Sequence, residues 1–324
     1  MNRPTTCGDC QSMERRDFVK IGGAAVAGAA SAALFDPRLA HAAAPASSTA
    51  ETKISEFYAS LSDAQKKAIC LPFDHKDRSR ISANWHVTQM TIGDGLLNKQ
   101  QKAITDQIVR SITSEDGYQR LVRQMDDDDS GMDNYSIAIF GEPGADKFQW
   151  EMTGRHVTMR ADGNHLDKAA FGGPIVYGHG EEDPQNNLFH YQTQQANKVF
   201  RALDPKQAEL ALLTKAPRET AVQLQGPRGK FPGIGVDSLA NDQKQLVEST
   251  LKVLLAPYRT EDVDEVMAIL KSRGGLDQLH MAFYQEEDLN SDNVWDIWRV
   301  EGPSLVWHFR GAPHVHAYIN IGWS

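Results

Sequence analysis

The C-terminal end of the chain alternates three short apolar segments with two tight turns, and this pattern constrains the fold more than any other feature. The predicted strands are Val294–Val300, Leu305–Phe309 and His314–Ile321, with Gly-Pro and Gly-Ala-Pro sequences between them. Turns this short join neighbouring antiparallel strands, because a parallel connection needs a crossover of about a dozen residues. The segment therefore predicts an antiparallel meander, which needs a larger sheet or a helical layer to bury its apolar face.

Strands and helices are segregated along the rest of the chain. Two more strands are predicted at Tyr135–Phe140 and Trp150–Arg160, on either side of a Gly/Pro-rich turn. Helices are predicted around them, at Lys53–Leu71, Asn98–Met125, Asn186–Leu203, Lys206–Lys215, Ser238–Leu255 and Thr260–Tyr284. The segment Asn98–Met125 is predicted as one or two helices, with a break near Thr113–Glu115. This order favours an α+β fold, in which one antiparallel sheet, including the C-terminal meander, packs with several amphipathic helices on one side.

The N-terminus has the organisation of an export signal. Arg15 and Arg16 precede a Gly/Ala-rich stretch of mild hydrophobicity, and small residues at positions 40–42 offer a cleavage site. The segment resembles a twin-arginine signal, by which folded proteins cross the bacterial inner membrane. We therefore expect residues 1–42 to be a cleaved signal peptide, the twin-arginine translocase to be the partner during export, and the mature protein to be periplasmic or secreted. Met13 is an alternative start that leaves this signal intact.

The mature chain is expected to comprise a flexible linker over residues 43–52 and a single α+β domain over residues 53–324. Only Cys70 remains after cleavage, so no intramolecular disulfide can form. The net charge changes from −9 to −10, because residues 1–42 carry five Lys/Arg and four Asp/Glu. This acidic balance argues against nucleic-acid partners and anionic membrane surfaces. The apolar part of the signal is too short for a permanent membrane anchor.

The last predicted strand carries the sharpest group of candidate site residues. Side chains alternate between the two faces of a strand, so His314, His316, Tyr318 and Asn320 share one face, while the other face is apolar. Two imidazoles placed two residues apart on a strand can bind one metal ion. The alternative is a pair of hydrogen-bonded or solvent-facing histidines, and the sequence alone leaves both open.

Three further histidines are candidate ligands. His308, on the preceding strand, faces the same side as the first pair if the hairpin pairs as expected. His156 follows Gly154, which we interpret as a bulge that redirects the next side chains. His86 lies in a loop-like segment. A single histidine in such a position is at least as often a hydrogen-bonded or solvent-exposed residue as a metal ligand.

Standard catalytic motifs are missing from the sequence, which has no GxGxxG or Walker loop, no GxSxG elbow and no HExxH helix. No residue is therefore assigned to an organic cofactor. Asp126–Asp129 form an acidic run that lacks the glycine and the spaced oxygen ligands of a calcium loop. We interpret this run as a solvated loop.

Four segments, spread over nearly all of the mature chain, resemble the bacterial family catalogued as domain of unknown function 3500. They are Leu71–Asp74 continuing to Asn84–His86, Phe140–Pro143 with Trp150–Val157, Ala170–Pro174, and Trp298–Pro303 with His314–His316. The positions that match family motifs are Trp85, His86, Gly154, His156, His314 and His316. The resemblance implies no activity, because that of the family is not established.

The chain departs from the family pattern at two positions. Arg155 stands where the family usually has a second histidine, and His308 stands where it usually has a carboxylate. If the family has a metal site here, the resemblance implies that the site in this chain is richer in histidine and poorer in carboxylate than in its relatives.

The leading hypothesis is a divalent transition metal (zinc, copper or iron) bound by His156, His314 and His316, with His86 or His308 as a further ligand or supporting group. The protein would then be an exported metal-dependent enzyme, an oxidoreductase or a hydrolase acting on a small molecule. Candidate residues for acid/base chemistry or substrate contact are Glu151, Arg155 and Tyr318.

The second hypothesis is a non-enzymatic periplasmic binding protein with an aromatic ligand cleft. Trp295, Trp298, Trp307 and Trp323 crowd the C-terminal meander, although the same residues suit a well-filled core. Histidines that converge on one point favour the metal hypothesis, whereas scattered histidines beside an open aromatic groove favour the binding protein.

Overall fold

One eleven-stranded sheet runs through the part of the chain that the computed structural model describes, which is residues 49–144, 147–162, 169–181, 183–289 and 292–323. The strands are β1 (Cys70–Leu71), β2 (Ser136–Gly141), β3 (Phe148–Gly154), β4 (Val157–Ala161), β5 (Ile175–His179), β6 (Leu212–Leu213), β7 (Ile234–Gly235), β8 (His280–Tyr284), β9 (Ile297–Gly302), β10 (Leu305–Arg310) and β11 (Val315–Ile321). The helices are α1 (Thr49–Ser60), α2 (Asp63–Ile69), α3 (Lys99–Ser111), α4 (Glu115–Asp129), α5 (His190–Arg201), α6 (Pro205–Ala211), α7 (Asn241–Leu255) and α8 (Thr260–Ser272).

Pairing of β5 with β11 joins the two strand regions of the sequence. The strand order is β1-β2-β3-β4-β5-β11-β10-β9-β8-β6, and β7 pairs with β8 beside this path. The short strands β1 and β6 pair in parallel with β2 and β8, and the other described pairs are antiparallel. The α+β class and the C-terminal meander are therefore confirmed. The histidines at the start of β11 lie near the middle of the sheet.

The two faces of the sheet have different covers. Helices α1, α3 and α4 pack on the apolar face of β2–β4, and helices α5, α7 and α8 pack on the same side of β5 and β8–β11. The opposite face is covered by irregular segments around residues 71–87 and 213–224, through three small apolar clusters. Successive side chains of a strand point to opposite faces, and the apolar ones point toward the helices. The second face therefore carries the buried polar side chains of the strands.

Helix starts follow the capping chemistry of the sequence. The Ser62 hydroxyl accepts the N–H of Gln65, and the Gln65 side chain accepts the N–H of Ser62, so α2 begins with a reciprocal cap. Asp204 caps α6, with Pro205 in the first turn, where its missing N–H costs nothing. In the described part of the chain, no helix has the length and hydrophobicity that crossing a membrane requires.

Three predicted helices are too long because the chain continues into a strand. One of them, Lys206–Lys215, ends at Ala211 and is followed by β6. The segment Lys53–Leu71 is divided into α1 and α2 at the cap described above, and it ends in β1. The predicted helix Thr260–Tyr284 ends at Ser272, because Gly274 and Gly275 have φ values of 98° and 73°. Residues in the left-handed region end a helix, and the chain continues into β8. The short strand β5 was not predicted.

Two predictions near the histidines are wrong in an informative way. Trp150–Arg160 is not one bulged strand but the two strands β3 and β4, which are joined at Arg155 and His156. The acidic run Asp126–Asp129 is not a loop but the last turn of α4, in which Asp128 is buried. Both differences bring functional side chains to the same end of the sheet.

Candidate metal centre

A two-residue turn between β3 and β4 places His156 at the end of the sheet. Gly154 pairs with Val157 across this hairpin, which leaves Arg155 and His156 in the turn. His156 has a φ of 59°, a left-handed conformation that costs a non-glycine residue about 1–2 kcal/mol. Its N–H donates to the carbonyl of Ala83, in the segment that crosses the sheet. Backbone strain held in this way is concentrated at functional sites.

The imidazoles of His156, His314 and His316 converge. His314 Nε2 and His316 Nε2 are 3.1 Å apart, and the His156 ring centroid lies 5.1 Å and 5.0 Å from the other two. One ring nitrogen from each residue lies within 4.8 Å of the others, and all three residues are buried. We call this group the three-histidine site. It is compact enough for one ion with metal–nitrogen bonds of about 2.0–2.1 Å to bridge it after a small closure.

A carboxylate orients each of two imidazoles in the three-histidine site. Asp128 Oδ2 lies 2.7 Å from His156 Nδ1, and Glu219 Oε2 lies 2.9 Å from His316 Nδ1. Each carboxylate accepts the Nδ1–H, so each ring directs the lone pair of its Nε2 toward the other histidines. Metal-binding histidines are commonly supported in this way, because the carboxylate fixes the tautomer and makes the ring a better ligand.

Asp128 is held on both of its oxygens. Oδ1 accepts the N–H of Gly180 at 2.7 Å, and Oδ2 also accepts the amide of Gln124 at 2.7 Å. Burial by itself raises the pKa of Asp128, but His156 and Gln124 outweigh it, and the net pKa lies below the ordinary value. Burial also lowers the pKa of His156, against the opposing effect of Asp128. The pair is therefore a carboxylate beside a neutral imidazole, the form that binds metals.

Two glycines of the β5 end allow this close packing. A Cβ on Gly178 would lie 2.2 Å from the carbonyl of Val315 and 3.2 Å from the His156 ring. A Cβ on Gly180 would lie 2.5 Å from Asp128 Oδ1. The Gly-His-Gly sequence around His179 thus has a structural reason. His179 itself is buried, and its Nε2 lies 3.3 Å from Asp127 Oδ2.

Glu219 connects the three-histidine site to an arginine. Its Oε1 pairs with Arg310 Nη1 at 2.8 Å, while its Oε2 holds His316. The other terminal nitrogen of the arginine, Nη2, lies 3.5 Å from His314 Nε2. Arg310 reaches the site because it is the register partner of His316 across β10 and β11. One ion-paired arginine therefore lies at the edge of the histidine group.

His86 and His308 lie outside the group of three. His86 is exposed on an irregular segment. His308 is buried on β10, on the same face as Arg310, and its Nδ1 has no hydrogen-bond partner among the described residues. Burial and the positive charge of Arg299 lower the pKa of His308 to about 3, so this ring is neutral. The structure thus brings together three of the five predicted ligands.

The three candidate acid/base residues have different surroundings. Glu151 is buried 3.6 Å from Arg160, and burial raises its pKa to about 8 although Arg160 opposes the change. The Tyr318 hydroxyl accepts the N–H of Ala83, and its ring centroid is 6.4 Å from that of His316. Arg155 lies in the same turn as His156, and its carbonyl accepts the hydroxyl of Tyr135.

Two supporting carboxylates were missed by the sequence reasoning. Asp128 continues the buried face of α4 that includes Leu121, Gln124 and Met125, so helical spacing across the acidic run was a usable signal. Glu219 lies in a Pro/Gly-rich irregular segment, where no periodicity marks an inward side chain. Only the tertiary structure identifies it.

Comparison with known proteins gives one match. A family model described as "Protein of unknown function (DUF3500)" covers residues 43–319. No curated protein matches the chain, and no experimentally determined structure matches it.

Proposed function

The chain belongs to the DUF3500 family of proteins of unknown function, and we propose that it binds one divalent transition-metal ion through His156, His314 and His316. The observation that carries this proposal is the convergence of three buried imidazoles, two of which are oriented by carboxylates. Supporting carboxylates of this kind accompany metal-ligating histidines.

The proposed site is of the catalytic rather than the structural type. Among the described residues, no fourth histidine, cysteine or carboxylate joins the group. Structural zinc sites use four protein ligands, whereas catalytic sites use three and leave a position for water or substrate. When bound, the metal would supply Lewis-acid or redox chemistry to a small molecule. We therefore propose a metal-dependent enzyme, a hydrolase or an oxidoreductase, with zinc, copper or iron as the ion.

The binding-protein alternative has weaker support. Trp298 and Trp307 are fully buried in the core between the sheet and the helices. Trp295 packs against the same core, and Trp323 is 40% exposed. A ligand-stacking cleft needs several exposed aromatic faces, and these four residues do not offer them.

We expect the mature protein to bind about one metal ion per chain, as three-ligand sites do. Elemental analysis of protein purified from the periplasm measures the content directly. The melting temperature of chelator-treated protein should rise on addition of Zn²⁺, because a ligand that binds only the folded state stabilises it. Protein that contains no metal and shows no such rise would contradict the proposed function.

We also propose export by the twin-arginine pathway, on the support of the sequence alone, because residues 1–48 lie outside the described part of the chain. Changing Arg15 and Arg16 to lysine should leave a full-length precursor in the cytoplasm, since the translocase reads the arginine pair. Cell fractionation and the mass of the mature protein report the result. Arg3→Lys is the matched control. Unchanged export of the double variant would overturn this proposal.

A further inference from the structure

We propose that the metal centre takes a small carboxylate as its ligand or substrate group, bound jointly by the metal and by Arg310. This inference rests on the proposed function. Its starting point is the position of Arg310, whose Nη1 is held by Glu219 and whose Nη2 lies 3.5 Å from His314 Nε2. The guanidinium is thus oriented by one carboxylate and directed toward the coordination site.

Charge balance favours an anion. The three imidazoles are neutral as metal ligands, Asp128 and Glu219 each carry one negative charge, and Arg310 carries one positive charge. A divalent ion therefore gives the buried site a net charge of about +1, and an uncompensated buried charge is costly. The neighbouring pair Arg299 and Glu301, 3.3 Å apart, is internally balanced and does not change this sum. A monoanion at the open position removes the excess charge.

The geometry favours a carboxylate among the possible anions. When His314 Nε2 binds a metal its lone pair is used, so Arg310 Nη2 can donate to a ligand oxygen instead. A carboxylate has two oxygens in one plane, so one can bind the metal while the other accepts from the guanidinium. A monatomic anion has only one atom to share between the two contacts.

Access limits the size of the group that enters. His156 and His316 are fully buried, whereas His314 is 8% exposed and Arg310 is 7% exposed. The small exposure near the site is therefore on the side of His314 and Arg310, and we expect a ligand to approach from there. A compact carboxylate, or the carboxylate end of a larger molecule, fits this approach better than a bulky anion.

The test uses Co²⁺-loaded full-length mature protein, whose visible spectrum reports ligands on the metal, titrated with acetate and with acetamide. We expect acetate to change the spectrum and acetamide, its neutral counterpart of the same shape, to bind far more weakly. Arg310→Gln should weaken acetate binding by about 10- to 100-fold, the loss expected for a charge-assisted hydrogen bond, while Co²⁺ is retained. Arg299→Lys, at a buried arginine of the same sheet face, keeps the charge that balances Glu301; it is the control and should leave acetate binding unchanged.

The outcomes separate this inference from the proposed function. Failure of the wild-type protein to bind Co²⁺ overturns both. Bound Co²⁺ with equal affinity for acetate and acetamide, or with acetate affinity unaffected by Arg310→Gln, overturns the carboxylate inference and leaves the metal site standing. If Arg310→Gln does not fold, Arg310→Lys takes its place, because lysine keeps the charge but loses the planar guanidinium. Unchanged acetate affinity in that variant overturns the role of Arg310.

Discussion

Replacing His314 and His316 together with alanine should abolish metal binding. Two of the three proposed ligands disappear, and the single remaining imidazole cannot hold a transition metal at a buried site against water. We expect the metal content to fall from about one ion per chain to a level that elemental analysis cannot distinguish from background. We expect the variant to fold, because Glu219 keeps Arg310 as a partner when His316 is removed. Circular dichroism checks this expectation.

A buried histidine of the same sheet face supplies the control for this experiment. His308→Gln removes an imidazole whose Nδ1 has no described hydrogen-bond partner and which lies outside the group of three. This variant should keep its metal. Loss of metal in His308→Gln would place His308 among the ligands, and retention of metal in the double alanine variant would show that the ion binds elsewhere.

Asp128→Asn should weaken metal binding by about 10- to 100-fold, the usual effect of removing a carboxylate that supports a metal-binding histidine. The amide is uncharged, so it no longer increases the basicity of His156. Asp128 now accepts hydrogen bonds from His156, Gly180 and Gln124. The NH₂ group of asparagine would replace one of the accepting oxygens and face a donor. Affinity can be measured by competition with a chromophoric chelator.

The same change should lower the stability of the metal-free protein. An unsatisfied buried donor costs about 1–3 kcal/mol, and urea unfolding of the chelated protein measures this directly. Asp126→Asn is the matched control, because Asp126 lies in the same helical turn with an exposed side chain. Equal metal affinity in the folded Asp128→Asn variant and in the control would contradict a supporting role for Asp128.

The two supporting carboxylates differ in burial, so we expect substitutions of Asp128 to affect folding more than substitutions of Glu219. The side chain of Asp128 is 3% exposed, whereas that of Glu219 is 18% exposed. Glu219 also comes from an irregular segment and pairs with Arg310. The segment that carries Glu219 therefore contributes to the site without belonging to the helical core that holds Asp128.

Local sequence patterns predicted the C-terminal meander and the shared face of His314 and His316. Alternation along β11 put His314 and His316 on one face, because the period of side chains in a strand is two residues. The short Gly/Pro turns identified the meander for a similar reason, since turn chemistry acts over a few residues. These features depend only on neighbours in sequence, and the structure confirms them.

His156 belongs to the group of three histidines, but a hairpin turn and not the expected strand bulge places it there. The residues around it read as one strand, because both arms are rich in strand-forming residues and the turn contains neither glycine, proline nor asparagine. The turn forms because tertiary contacts, such as the hydrogen bond to Ala83, compensate for the left-handed conformation of His156. Local sequence propensity does not detect a turn that is stabilised by contacts with residues far away in the sequence.

The sequence by itself determined the fold class, the meander and the paired strand histidines, whereas the tertiary structure decided how the site is completed. Asp128 and Glu219 lie 28 and 97 residues from the histidines that they hold. No periodicity spans such separations, because these pairs form only when the sheet and its two covers assemble. Local propensity therefore predicted that two histidines share one face of a strand, and long-range packing brought His156 and the two carboxylates to them.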